Sequence, residues 1–151
     1  MKSFLFAFFA LCLVQGATAQ TTAITTFTDL AKAKAHAAEN SQDILMVFAG
    51  SDWCKPCIQF KKDILQSTDF ESQVGDKITV LYLDFPARRK NKLSKEQTAH
   101  NEALAERFNK SGAFPKIVLL DVEEQILASP SFKGQSAVKF ISELQPAFTA
   151  K

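Results

Sequence analysis

The sequence predicts an α/β fold, a central mixed sheet flanked by helices, and three observations carry that prediction. Continuous apolar runs of strand length, Ile44 to Ala49 and Ile78 to Phe85, read as strands covered on both faces. Segments with helical spacing alternate with them. The composition, 46% hydrophobic and 23% charged with 14 phenylalanines against one tyrosine and one tryptophan, is that of a folded chain with a dry, phenyl-rich interior. At 151 residues the chain is long enough for a single core.

Taken in order, residues 1–19 form a different kind of sequence. Lys2 gives a positive start, Phe4 to Val14 is an unbroken apolar run, and Ala17-Thr18-Ala19 is a cleavage pattern, so a secretory signal peptide is expected, followed by one domain over 20–151. The run is short for a membrane span, which needs about 20 apolar residues, and no transmembrane segment is expected in the mature chain. Cys12 raises lipidation as an alternative, but bulky Leu11 precedes it where a small residue would be wanted.

Thr26 followed by Asp29 reads as the start of a helix, with Phe27, Leu30, Ala31, Ala35 and Ala38 on its apolar face up to Asn40. The polar break from Asn40 to Asp43 leads into the first strand. From Cys54 the stretch CKPCIQFKKDILQS continues as a helix, Pro56 being tolerated in the first turn, where its missing N–H has no intrahelical partner to lose. Ile78 to Phe85 is the second strand, and the basic loop PARRKNKLS follows. Ser94 with Gln97 is a capping-box pair opening a helix through Leu104 and Phe108, which Gly112 exits. Lys116 to Asp121 is a third strand, and after Glu123-Glu124 a short strand runs through Ile126 and Leu127. Val138, Phe140, Ile141 and Leu144 give a closing helix that Pro146 helps to end. The expected order is α-β-α-β-α-β-β-α.

Loss of residues 1–19 would leave 17 basic and 16 acidic side chains, a net charge near +1 that argues against nucleic acid as a partner. Arg88, Arg89, Lys90 and Lys92 form the only basic cluster. Such a run is a solvated loop, or a patch that steers an acidic protein partner or touches anionic lipid.

Cys54 and Cys57 are the only thiols after residue 19, and export would place them where disulfides form and persist. Positions i and i+3 of a helix lie on one side with Cβ atoms about 5–6 Å apart, close enough for a bridge that opens and closes. So short a ring removes little unfolded-chain entropy, which makes structural stapling a weak reason for it. Cys54 stands where a helix begins. Free N–H groups, the helix dipole and the neighbouring Lys55 all favour its thiolate, so Cys54 is the expected nucleophile, and Cys57, one turn inside, the resolving thiol. Zinc would need more ligands than these two thiols with His36 and His100 at unsuitable spacing. Covalent haem attachment would need histidine where Ile58 stands.

The stretch DWCKPC after an apolar strand, with AFPKIVLLD about 60 residues later, resembles the thioredoxin superfamily. The stretches FAGSDWC and LDFPARRKNKLSKEQTAHNEALAERF resemble exported bacterial thioredoxin-like proteins, and the site is similar to the C-terminal domain of membrane thiol-electron transporters. The resemblance spans most of residues 24–148. It implies a thioredoxin-like fold with Cys54 attacking and Cys57 resolving. It further implies that Pro115 is a cis-proline facing the disulfide, that Phe114 meets the bound substrate segment, and that Trp53 flanks the sulfur. Lys55 and Pro56 would tune the centre. The implied activity is that of a periplasmic protein disulfide oxidoreductase acting on cysteine-containing exported proteins; Pro56 makes the centre resemble reducing thioredoxins while Lys55, by stabilising the Cys54 thiolate, pushes toward an oxidant, so reduction is favoured over oxidation without the direction being fixed. The protein would have no cofactor beyond the Cys54–Cys57 disulfide and no metal, and a membrane thiol-electron donor is a possible partner. The sequence also departs from the pattern: the buried aspartate of thioredoxins falls on Val47 and its lysine partner on Tyr82, leaving water or Tyr82 to take the proton from Cys57.

Two further residues are read as structural, His100 as a partly buried packing residue on its helix and His36 as surface. The rival functional reading is a binding module on the same fold, docking partners through Trp53, Phe114 and the basic loop while its disulfide stays closed.

Overall fold

The computed structural model describes residues 24–149. Its elements run β1 (Thr26–Phe27), α1 (Leu30–Glu39), β2 (Asp43–Ala49), α2 (Lys55–Phe60), α3 (Thr68–Val74), β3 (Ile78–Asp84), α4 (Lys95–Phe108), β4 (Lys116–Leu120), β5 (Ile126–Ala128) and α5 (Ala137–Thr149). A π-helical turn, Lys61–Leu65, continues α2 and carries Ile64 into the core. The strands form one mixed sheet in the order β1-β3-β2-β4-β5, parallel across β1-β3-β2 and antiparallel across β2-β4-β5. This is the predicted α/β architecture.

Why β2 after Asp43 reads as an unbroken apolar run, Ile44 to Ala49, follows from its position. All seven residues are buried because the strand lies mid-sheet with helices on both faces. Alternate side chains serve different cores. Leu45, Val47 and Ala49 pack with Cys57, Phe60, Ile64, Phe70 and Phe140, on the side of α2, α3 and α5. Ile44, Met46 and Phe48 pack with Ala33, Ala37 and Leu104, on the side of α1 and α4. Phe60 meets both Phe132 and Phe140 edge-on at 5.2 Å, so the phenylalanines do fill the first core with T-shaped contacts.

Several local expectations change. Thr26 and Phe27 do not open the first helix; they add a short parallel strand to the edge of β3, where Val80 N–H donates to Thr25 C=O at 3.0 Å. The helix begins after Asp29, whose carboxylate accepts from Lys32 N–H. Its buried alanines are Ala33 and Ala37, not Ala31, Ala35 and Ala38. Alanine occurs on every side of this helix, so spacing alone cannot choose the face. The helix α3 went unpredicted because it buries only Phe70 and Val74, too few for a periodic signal.

Ser94 caps α4 as expected, but Gln97 completes no capping box. Its amide donates instead to Thr28 C=O and Asn101 Oδ1, both at 2.8 Å, tying α4 to the segment before α1. Pro146 lies inside α5, which continues to Thr149. Burial of Ala147 and packing of Phe148 against the core hold this last stretch despite the proline.

Candidate functional site

β2 ends at buried Ala49, and after buried Gly50 the chain turns before entering α2. Cys54 N–H donates to Gly50 C=O at 3.0 Å, which closes that turn and leaves Cys54 as the N-cap of α2. Pro56 falls in the first helical turn, as its chemistry requires. Cys54 and Cys57 are joined in a disulfide, their Cα atoms 5.3 Å apart. Cys57 N–H also donates to Cys54 Sγ at 3.2 Å, so the sulfur of the N-cap residue sits where a helix start offers an unpaired donor. Cys54 is 5% exposed and Cys57 1%, so the first thiol lies at the rim of the core and the second inside it.

The sheet residues that share a core with the pair are apolar. Val47 is fully buried in the same cluster as both cysteines and lies opposite Tyr82 of β3. Burial pushes the Tyr82 phenol up to about 12, with the charge of Asp84 adding to the effect. A phenol so raised stays protonated across the physiological range and offers no anionic acceptor. The Lys61 ammonium stands over its ring, 5.1 Å from the centroid.

Of the other expected residues, Trp53 and Phe114 stand together in one aromatic group. Trp53 is 48% exposed, and its indole N–H donates to Phe85 C=O at 2.7 Å. Its ring meets Phe114 edge-on at 5.3 Å, and Phe114 in turn meets Phe85 at 5.4 Å. The Phe114–Pro115 bond is cis. Gly50 is needed under this aromatic group, since a Cβ there would overlap the indole. Lys55 and Pro56 are exposed on the outer face of the α2 entrance.

Four polar residues that sequence reasoning missed hold these loops in place. Asp52 accepts from Ala87 N–H (2.9 Å), Arg88 N–H (3.0 Å) and the Asn91 side-chain amide (2.8 Å). The Ala87 donor is the main reason its carboxyl lies below the usual range, with Asn91, Arg88 N–H and the Arg88 charge assisting against desolvation. Asp84 accepts from both Ser51 N–H (2.8 Å) and Ser51 Oγ (2.6 Å). Buried Asn101 donates to Asp84 C=O at 2.8 Å. Buried Asn109 clamps Ala113 from both sides, donating to its C=O at 2.9 Å and accepting from its N–H at 3.1 Å, just ahead of Phe114. The partners of Asp52 and Asp84 lie more than thirty residues away in sequence, so only the position of Asp52 beside the cysteine motif could have drawn notice.

His36 lies on α1, and His100 touches the rim through Asn101, its Nδ1 3.2 Å from Asn101 Oδ1. His100 is partly buried and accepts from Leu30 N–H through Nε2 at 3.2 Å, tying α4 to the start of α1. His36 is not a bare surface residue: Nδ1 lies 3.0 Å from Thr79 Oγ1, and its ring lies 5.2 Å from that of Phe27. That partner comes from β3, 43 residues away, which local sequence could not disclose. Among the described residues no group of three or more His, Cys, Asp and Glu side chains could hold a metal ion, and no helix is long and apolar enough to cross a membrane. The expected signal peptide, with Cys12, lies outside the described residues.

Comparison with known proteins places these features in a lineage. A model of the thioredoxin-like family matches residues 23–122. The disulfide bond reductase DsbH of Chlamydia pneumoniae is 32% identical over 117 residues, which are 78% of this chain and 69% of that protein. A solved structure of DsbH oxidoreductase superposes with a TM-score of 0.76 at 27% identity, covering 94% of this chain and 96% of the other. A thioredoxin from Thermus thermophilus superposes with a TM-score of 0.63 at 14% identity, covering 84% and 88%, a likeness of fold alone.

Proposed function

The chain belongs to the thioredoxin-like family, and on that premise we propose that it is an exported thiol:disulfide oxidoreductase that reduces disulfides in proteins of the periplasm. The observation that carries the reading is the Cys54–Cys57 disulfide at the start of α2, with a backbone N–H directed at the Cys54 sulfur. Export rests on residues 1–19, read as a signal peptide. The reducing direction is favoured by the name of the Chlamydia relative, a disulfide bond reductase.

The reaction begins from the dithiol. The Cys54 thiolate attacks one sulfur of the partner's disulfide, forming a mixed disulfide and releasing the partner's other sulfur as a thiolate. The Cys57 thiolate then attacks Cys54 Sγ, which expels the second partner sulfur and leaves Cys54–Cys57 oxidised. Two electrons pass to the partner, and a dithiol donor at the membrane returns them. With Val47 in the core that holds Cys57 and Tyr82 protonated, neither offers a base, and water is left to take the Cys57 proton. Trp53, Phe114 and Pro115 form the surface on which the partner segment rests, and Lys55 and Pro56 tune the Cys54 thiolate.

Trapping tests this reading. Cys57→Ser is expected to accumulate mixed disulfides with exported proteins through Cys54, and Cys54→Ser to lose reduction of an insulin-type disulfide in the presence of dithiothreitol. A wild-type protein no faster than Cys54→Ser, with no trapped species, would leave a closed-disulfide binding module as the better account.

A further inference from the structure

The basic loop beside the site is held by its backbone and Asn91, while its cationic side chains reach into solvent. Arg88, Arg89, Lys90 and Lys92 are all exposed, and among the described residues none of them is in a salt bridge. Of the 17 basic side chains in residues 20–151, four lie here, and the remaining 13 face 16 acidic ones. The loop is therefore a positive patch on a body that is otherwise net negative.

Its placement is fixed by the redox site itself. Asp52, two residues before Cys54, holds Ala87 N–H, Arg88 N–H and the Asn91 amide at 2.8–3.0 Å. The indole of Trp53, the residue between, is bonded to Phe85 C=O at the base of the same loop. The Asp52 carboxylate is engaged by these donors, and Asp84 behind it is engaged by Ser51. The cations are thus exposed on a loop anchored two residues before Cys54, a residue that is itself only 5% exposed. A partner must be held mainly by what surrounds Cys54, and that surround is aromatic on the Trp53–Phe114 side and cationic on the loop side.

We propose that the loop from Ala87 to Lys92 is a docking element for an acidic segment flanking the cysteine of the disulfide-bearing partner. The proposal rests on the oxidoreductase reading above and names the class of substrate that such a site prefers. A polypeptide fits better than a bilayer. Between Ala87 and Lys92 there is no large apolar side chain to insert into lipid, and stable membrane attachment takes a second signal besides basic charge. Exposed cations outside any salt bridge act over a Debye length of about 10 Å at 0.1 M salt, and steering of this kind changes association rates by about 10- to 1,000-fold.

The test uses three peptides, each with one internal disulfide, flanked by Glu, Gln or Lys, and serine-for-cysteine versions of each for binding. Affinity is read by fluorescence anisotropy at low and physiological salt, and reduction rate by separation of the peptide products. The wild-type protein is expected to bind the Glu peptide at least about tenfold more tightly than the Lys peptide, with a preference that shrinks as salt rises. That preference is expected to vanish when Arg88, Arg89, Lys90 and Lys92 are all changed to Gln, while the Gln peptide is reduced at an unchanged rate. Equal affinity for the three peptides, or a Glu preference that survives in the variant, overturns the proposal. So does loop-dependent adsorption to phosphatidylglycerol vesicles without peptide preference, which assigns the loop to lipid. A Glu preference without reduction of any peptide would overturn the redox reading and support docking alone.

Discussion

The floor under the disulfide and the rim around it are built on opposite principles. In the core with Cys57 lie Val47, Phe60 and Ile117, all buried and apolar, with the Tyr82 phenol, held protonated, the one titratable group packed against them apart from the cysteines. Around Cys54, every loop is tied by a polar side chain: Asp52 on the basic loop, Asp84 on Ser51, Asn101 on Asp84, Asn109 on Ala113. The difference teaches where this chain places its charge. A carboxylate beneath the pair would act on the chemistry of Cys57; carboxylates at the rim act on the position of whatever meets Cys54.

The largest expected effect comes from breaking the floor. Val47→Asp puts a carboxyl into a fully buried apolar site with no partner, at an expected cost of about 3 kcal/mol in unfolding free energy of the oxidised protein. Denaturant titration measures it. A loss below about 1 kcal/mol would mean that water or a polar group already reaches the floor, and the contrast with the rim would fail.

A smaller effect is expected at the rim. Asp52→Ala removes the acceptor for Ala87 N–H and Arg88 N–H, so hydrogen exchange at those two amides is expected to speed up about tenfold while the amides of β2 keep their protection. The same bonds carry a pH dependence. Because the folded-state carboxyl lies below its unfolded value of 3.8, its contribution is fully present above that value and is lost as pH falls through the lower, folded one. Loop protection is thus expected to persist at mildly acidic pH. Loss of it well above 3.8 would contradict the assignment.

The smallest change sharpens the boundary between the two regions. Gly50→Ala forces the Trp53 indole off its seat and breaks its bond to Phe85 C=O. Since Trp53 is the only tryptophan, its emission is expected to shift to the red, with a stability loss of about 1 kcal/mol. An unmoved spectrum would show that the aromatic rim tolerates a methyl group where the geometry leaves no room.

The floor was legible in the sequence and most of the rim was not. Ile44 to Ala49 announces a buried strand because burial on both faces demands an unbroken apolar run, and Cys54 and Cys57 announce themselves by spacing. Trp53, Phe114 and Pro115 could be placed only through family resemblance. Asp52, Asp84, Asn101 and Asn109 carry no periodic or motif signal, and the first three bind loops or elements distant in sequence. The same blindness hid the His36–Thr79 contact and the edge strand at Thr26–Phe27, which exists only because β3 is there to pair with. In α1 the difficulty was different, since a helix with alanine on every side gives spacing nothing to discriminate.

The order of the two thiols is the claim on which the rest depends, and limited alkylation measures it directly. Reduced protein, treated briefly with substoichiometric iodoacetamide near neutral pH and digested for mass spectrometry, is expected to carry the label on Cys54 in large excess over Cys57. That sulfur sits at the rim, with the Cys57 N–H directed at it. Equal labelling, or a label mainly on Cys57, would contradict the assignment of Cys54 as the attacking thiol.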